Sequence, residues 1–252
     1  MKETHLARMV FDQAARYGAK TALRSKSGDR WHDISYHRLG ELIRDAAKAL
    51  LELGVGEGEM VGIYSGNRPE WTIADFAIQS VRGVSVPIYA TSTAGQAGYI
   101  VRDAAIRILF AGNQTQYDRI ASIPEDASPP AAIVVFDDGV DLRENPRGMR
   151  WRDLLEKGRA STRQAELDGR LQSASAEDLA TLIYTSGTTG EPKGVMLHHA
   201  NFHHSFLAHD KRLTVSERDV SLCFLPLAHV FERAWSYYVI GHGMTNVYVG
   251  DM

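Results

Sequence analysis

Between residues 60 and 136 the chain alternates regularly between two hydrophobic periods, and this limits its fold more than any other feature. Short apolar runs at 60–64, 84–89, 106–110 and 133–136 read as strands. The segments between them, 69–81, 96–103 and 116–123, read as helices, the first with Pro69 in its opening turn and Gly83 at its end. Strands separated by one helix each pair in parallel, because a crossover of that length returns the chain to the same end of the sheet. The expected fold class is therefore α/β, with parallel sheets flanked by helices. The turn after the first of these strands contains Tyr64-Ser65-Gly66-Asn67, which is no dinucleotide fingerprint.

Outside this block the periods are also readable. Residues 5–17 form an amphipathic helix ending at Gly18, and strands at 21–23 and 31–34 bracket a hairpin turn at 26–29. Leu39, Leu42, Ile43, Ala46, Ala47 and Leu50 fall on one helical face, with Ser35 as N-cap and Gly54 as terminator. Residues 137–176 are charged, with Trp151, Leu154 and Leu155 as the apolar anchor, and read as a surface excursion. Strands follow at 179–184 and 195–197, a helix at 201–213, a strand at 220–225, a helix at 232–240 and a strand at 247–249. A net charge of −3 gives no reason to expect nucleic-acid binding. The lone Cys223 cannot form an internal disulfide and lies in an apolar run, as a buried thiol in a reducing compartment would. The N-terminus lacks the apolar core of a signal peptide, and no run reaches membrane-spanning length. The expected location is cytoplasmic.

Between the strands at 179–184 and 195–197 lies Thr185-Ser186-Gly187-Thr188-Thr189-Gly190-Glu191-Pro192-Lys193-Gly194. Its glycines let several backbone N–H groups converge on one point, its hydroxyls donate and can ligate Mg²⁺, and Lys193 adds positive charge. A polar hairpin turn is the plain alternative for such a composition. The string is not the phosphate loop in which Gly-Lys-Ser/Thr opens a helix, because Val195 and Met196 follow.

The stretch from Tyr184 to Asn201 closely resembles the nucleotide-phosphate loop of the acyl-adenylate-forming enzymes. Leu225-Pro226-Leu227-Ala228-His229-Val230-Phe231-Glu232-Arg233 narrows the resemblance to the long-chain fatty acyl-CoA synthetases. The resemblance implies a partial layered αβαβα large domain. Residues 56–200 would form a first α/β subdomain ending in the phosphate loop, and 1–55 with 201–252 parts of a second, truncated layer. It implies ATP-dependent activation of a long-chain fatty acid to an acyl-adenylate, then thioester formation with CoA, with this chain the N-terminal portion of the enzyme. By the same resemblance Thr185 contacts Mg²⁺ and phosphate. Ser186, Gly187, Thr188, Thr189, Gly190 and Gly194 cradle the nucleotide phosphates, Lys193 neutralises the departing charge, and His229 positions the acyl carboxylate.

Some relatives carry a gating Trp four residues after that His. Arg233 stands there in this chain, so no gate is carried over. Phe231, Trp235, Tyr237 and Tyr238 are core residues by spacing, and some could line an acyl tunnel. His199 and His203 have metal-ligand spacing within the cluster His198, His199, His203, His204 and His209, but packing explains them better, and no metal besides Mg²⁺ is expected. Two rival readings are a fatty acyl-AMP ligase that loads a carrier protein and a non-catalytic nucleotide- or acyl-binding module. The former typically has His-Asp where this chain has His229-Val230. Peripheral contact with the inner membrane face, inactivity of the isolated 252 residues and their self-association through strand edges are further expectations.

Overall fold

The computed structural model describes residues 5–185 and 191–249. In chain order the elements are α1 (Leu6–Tyr17), β1 (Thr21–Ser27), β2 (Arg30–Ser35), α2 (Tyr36–Glu52), β3 (Met60–Tyr64), α3 (Pro69–Ser80), β4 (Val84–Ile88), α4 (Ala94–Asp103) and β5 (Ile108–Ala111). Then come α5 (Gln114–Ala121), β6 (Ala132–Val135), β7 (Gly148–Arg150), α6 (Trp151–Ala160), α7 (Gln164–Ser173), β8 (Leu179–Thr185) and β9 (Lys193–His198). The chain closes with α8 (His199–Asp210), β10 (Val220–Cys223), α9 (Val230–Gly241) and β11 (Thr245–Tyr248). A seven-stranded sheet runs β7-β6-β5-β3-β4-β8-β9, and a four-stranded sheet runs β10-β11-β1-β2.

Every pairing in the larger sheet is parallel except that of β8 with β9. Its strands bury both faces, as continuous apolar runs must. Val61, Ile63, Ile108, Phe110 and Val134 join one core cluster, while Leu109, Ala111, Ile133 and Val135 join another on the opposite face. The first cluster includes residues of α1, α2, α3 and α6 together with Leu23 and Tyr248 of the smaller sheet, so these helices lie between the sheets. The second is closed by α4 and α5. The layered α/β architecture expected from the sequence is present.

Three boundaries moved for identifiable reasons. Both α4 and α5 begin two residues before the expected starts, because Gln96 and Gln116 are the third residues of capping boxes opened by Thr93 and Asn113. The strand expected at 220–225 ends at Cys223, where the chain turns away and Leu225 meets Asn67 and Glu232. The excursion at 137–176 is more than surface. It supplies the edge strand β7, and Trp151, Leu154, Leu155 and Leu167 are all buried. Helix α6 approaches α2 so closely that a Cβ on Gly158 would overlap the Asp45 carbonyl.

At the start of α1 and α8 two buried histidines stack, with ring centroids 3.6 Å apart. His5 Nδ1 accepts from the Ala7 amide (3.2 Å), and His199 Nδ1 accepts from the Leu6 amide (3.3 Å), so both rings serve as neutral acceptors. Burial pushes His5 down to about 4, against the pull of Asp178 and with help from Arg8 and Arg82. Burial, then His5, Arg233 and His198, push His199 well down. Both groups are neutral when folded and take up protons when unfolded. Their contribution is complete above the ordinary imidazole value of 6.5 and is lost as pH falls towards 4. Thermal melts across this window should show a steep acid limb that His5→Asn, which retains an N-cap acceptor, makes shallower. Parallel limbs in the two proteins would exclude the stacked pair as its cause.

Candidate active site

Among the described residues, the loop emerges from the only antiparallel pair of the larger sheet. Across it Thr185 faces Lys193 and Tyr184 faces Gly194, so the exposed side chains of Thr185 and Lys193 stand on one face at the mouth of the hairpin. Both legs are tied to α4. Tyr184 donates to Asp103 Oδ2 (2.5 Å) on one leg, and Tyr99 donates to the Pro192 carbonyl (3.1 Å) on the other. The two rings meet edge to face at 6.3 Å. Burial, reinforced by Asp103, pushes the Tyr184 phenol well up, so it remains a donor. Ser186, Gly187, Thr188, Thr189 and Gly190 lie outside the described residues.

His229 caps the N-terminus of α9. Its Nδ1 accepts from the Phe231 amide (3.2 Å), so in this tautomer Nε2 carries the ring's N–H, on an exposed residue beside a helix N-terminus. The turn before it is fastened to the larger sheet by one side chain. Asn67 accepts from the Leu227 amide (2.8 Å) and donates to the Leu225 carbonyl (2.6 Å). Sequence reasoning passed over Asn67. Its only signal was a polar side chain in the turn directly after β3. The turn roofs a crevice of about 430 Å³ lined by Asn67, Arg68, Tyr89, Gly112, Pro226 and Ala228. That crevice opens at the C-terminal ends of β3 and β5, where the strand order reverses and α/β sheets place ligands.

Of the aromatics after His229, Tyr237 and Tyr238 are buried, whereas Phe231 is 57% exposed. Phe231 and Trp235 border an apolar groove of about 440 Å³ with Leu213, Leu222, Phe224 and Leu225, and Trp235 Nε1 donates to Ser221 Oγ (2.8 Å). Arg233 points inward and has no exposed surface. Of the spaced histidines, His199 stacks on His5 and His203 packs at 5.9 Å from Phe206. Among the described residues no three His, Cys, Asp or Glu side chains gather as a metal site. Cys223 is buried, which pushes its thiol well up.

A profile of AMP-binding enzymes matches residues 10–252. The chain belongs to the AMP-binding enzyme family. Curated relatives include the long-chain-fatty-acid–CoA ligase ACSBG2 of Xenopus laevis, 34% identical over 220 residues, which cover 85% of this chain and 29% of that protein. The long-chain-fatty-acid–CoA ligase FadD15 of Mycobacterium tuberculosis is 38% identical over 226 residues, covering 88% of this chain and 36% of that one. This chain thus spans about a third of the length of those relatives. Among solved structures, the inhibitor-bound N-terminal domain of FACL13 from Mycobacterium tuberculosis superposes with a TM-score of 0.79 at 22% identity, covering 98% of this chain and 57% of that one. The anthranilate CoA ligase AuaEII in complex with anthranoyl-AMP gives 0.82 at 22% identity, covering 99% and 46%. These likenesses establish a shared fold.

In the β8–β9 hairpin, Gly194 has a packing reason to lack a side chain. A Cβ there would lie 2.7 Å from Leu182 Cδ1 and 2.8 Å from its Cγ. Gly194→Ala should destabilise the fold by about 1–3 kcal/mol, as overpacking does. Leu182→Ala in the same protein should recover part of that loss, so a double-mutant cycle of melting free energies should show favourable coupling. Strict additivity would remove the packing explanation.

Proposed function

We propose that the native protein activates a long-chain fatty acid with ATP and transfers the acyl group to CoA. The observation that carries this reading is the Thr185–Lys193 pair at the mouth of a hairpin braced on both legs. The names of the curated relatives supply the substrate class. In the first step a carboxylate oxygen attacks the α-phosphorus of ATP, and the bond to pyrophosphate breaks. In the second the CoA sulfur attacks the acyl carbon, the bond to the adenylate oxygen breaks, and AMP departs. Such chemistry asks for alignment and positive charge more than for a strong base.

In this reading Lys193 balances the charge of the departing pyrophosphate, and the proposed cradle of Ser186, Gly187, Thr188, Thr189, Gly190 and Gly194 holds the phosphates. His229 directs Nε2–H at the acyl carboxylate. Thr185 offers a single hard oxygen donor, and no acidic cluster stands with it among the described residues, which fits a Mg²⁺ ion held largely by the nucleotide phosphates. When bound, that ion would screen the phosphate charge. The groove beside Phe231 and Trp235 suits an alkyl chain by its apolar character.

Residues 56–200 act in this reading as the subdomain that ends in the loop, and 1–55 with 201–252 as parts of a second layer. We assign the work to the cytoplasm, with peripheral contact at the inner membrane face. No described helix is long and apolar enough to cross a membrane. Residues 1–252 alone should not form acyl-CoA and should self-associate, since Val220 and Leu222 on an edge strand are 60% and 57% exposed.

In the native protein, Lys193→Ala and Thr185→Ala should each slow fatty-acid-dependent exchange of labelled pyrophosphate into ATP. Losing one such stabiliser costs on the order of 3 kcal/mol, a hundredfold or more in rate. His229→Ala should impair use of the fatty acid more than binding of ATP. The parent should prefer free CoA to a holo carrier protein as acceptor. Unchanged exchange in both loop variants would reduce the loop to a turn, and a parent inactive with every acyl chain would sink the whole reading.

A further inference from the structure

We infer that Arg233, anchored by Asp75 and Thr181, is a positioning residue that fixes His229 relative to the end of β8 at Thr185. The inference rests on the role proposed above for His229. Arg233 lies one helical turn beyond it, and its amide donates to the His229 carbonyl (3.2 Å). Its guanidinium is wholly buried and grips Asp75 of α3 with two nitrogens, Nη2 to Oδ1 and Nε to Oδ2 (3.1 Å). Nε also donates to the Tyr237 hydroxyl (2.7 Å), which in turn donates to Asp75 Oδ2. Nη1 donates to Thr181 Oγ1 (2.5 Å), and that hydroxyl donates to the Ser85 carbonyl (2.6 Å). The Trp71 and Tyr237 rings flank the group at 5.4 and 5.7 Å.

One planar group thereby joins α9, α3, β8 and, through Thr181, β4. Thr181 sits four residues before Thr185 on β8, and His229 sits four residues before Arg233 on α9. A helix held by apolar contacts alone can rotate or slide by fractions of a turn. A two-pronged guanidinium–carboxylate pair accepts one geometry. Buried ion pairs of this kind rarely give more stability than apolar side chains of the same volume. What the pair supplies is a fixed azimuth for α9, and with it a fixed direction for the imidazole at its cap.

The decisive comparison is the native protein against its Arg233→Met/Asp75→Leu variant, which replaces the ion pair with apolar groups. We expect a melting temperature near the parent's, a fall in kcat for fatty-acid-dependent pyrophosphate exchange of roughly tenfold or more, and an unchanged KM for ATP. The imidazole NMR signals of His229, assigned by their loss in His229→Gln, should move. A merely structural pair would leave rate and signals alone in a variant that folds. Should the double variant unfold, Thr181→Val removes only one hydroxyl and should give the same pattern with a smaller fall. A folded variant with parental kcat, or a slower one with His229 signals in place, overturns the inference. A parent that exchanges no pyrophosphate with any fatty acid sinks the proposed function instead, and the His229 signals alone then judge the positioning.

Discussion

A guanidinium without any exposed surface survives only if its charge and its donors are met inside the protein. Arg233 meets this demand by drawing Asp75, Tyr237 and Thr181 to one point, with two aromatic faces around it. The network spreads further, because Gln79 also donates to the Tyr237 hydroxyl (2.7 Å). Two helices and a strand from distant parts of the chain are thus constrained together. Removing one partner alone would strand the other charge in a low-dielectric core, so the elements move as a unit or not at all. The first core cluster is assembled around this junction, with Trp71, Phe76 and Tyr237 among its buried members.

The second organising constraint is the change of direction at one edge of the larger sheet. Six parallel strands end with their C-termini on the same side, and β9 then runs back antiparallel to β8. The loop between them is therefore delivered to the same side as the crevice at the ends of β3 and β5. Helix α4 stiffens the delivery. Its Tyr99 and Asp103 hold opposite legs, one through a carbonyl and one through a phenol. Bracing of this kind holds both ends of the hairpin in place before any ligand binds.

Much of this was legible from residues alone. The strand–helix alternation reports burial on both faces, which is a local property of composition and period, and it located β3, α3 and β4 to within a residue or so. Ser35 was recognisable as an N-cap because its acceptor role is local, and the Thr93–Gln96 and Asn113–Gln116 boxes were present but unused signals. What remained hidden depends on distant partners. His5 and His199 stack across a separation that no periodicity spans. Asn67 looked like an ordinary turn residue until the Leu225–Leu227 segment closed over it. Glu232, Arg233 and Ser236 fall on one face of α9, a pattern that usually marks the solvent side, and yet all three are buried. The loop and the His229 segment were conspicuous only as strings resembling a family. Their residue types alone suit a polar turn and a helix cap equally well.

The distribution of exposed apolar surface ties fold to chemistry once more. Apart from Trp31, every large apolar side chain recorded as exposed among the described residues lies between Val195 and Phe231. These residues belong to β9, α8 and the segment after it, β10, the turn that carries His229 and the first turn of α9, whereas the core beneath β3, β4 and β5 is closed. Six of them, Leu213, Val220, Leu222, Phe224, Leu225 and Phe231, line the groove beside Trp235, a surface that an apolar cover, polypeptide or acyl chain, would suit. Any such cover would exclude water from the side of the molecule where His229 presents its donor. Excluding water strengthens each hydrogen bond and charge contact made there. In the proposed function, that cover would set the dielectric in which the imidazole of His229 acts.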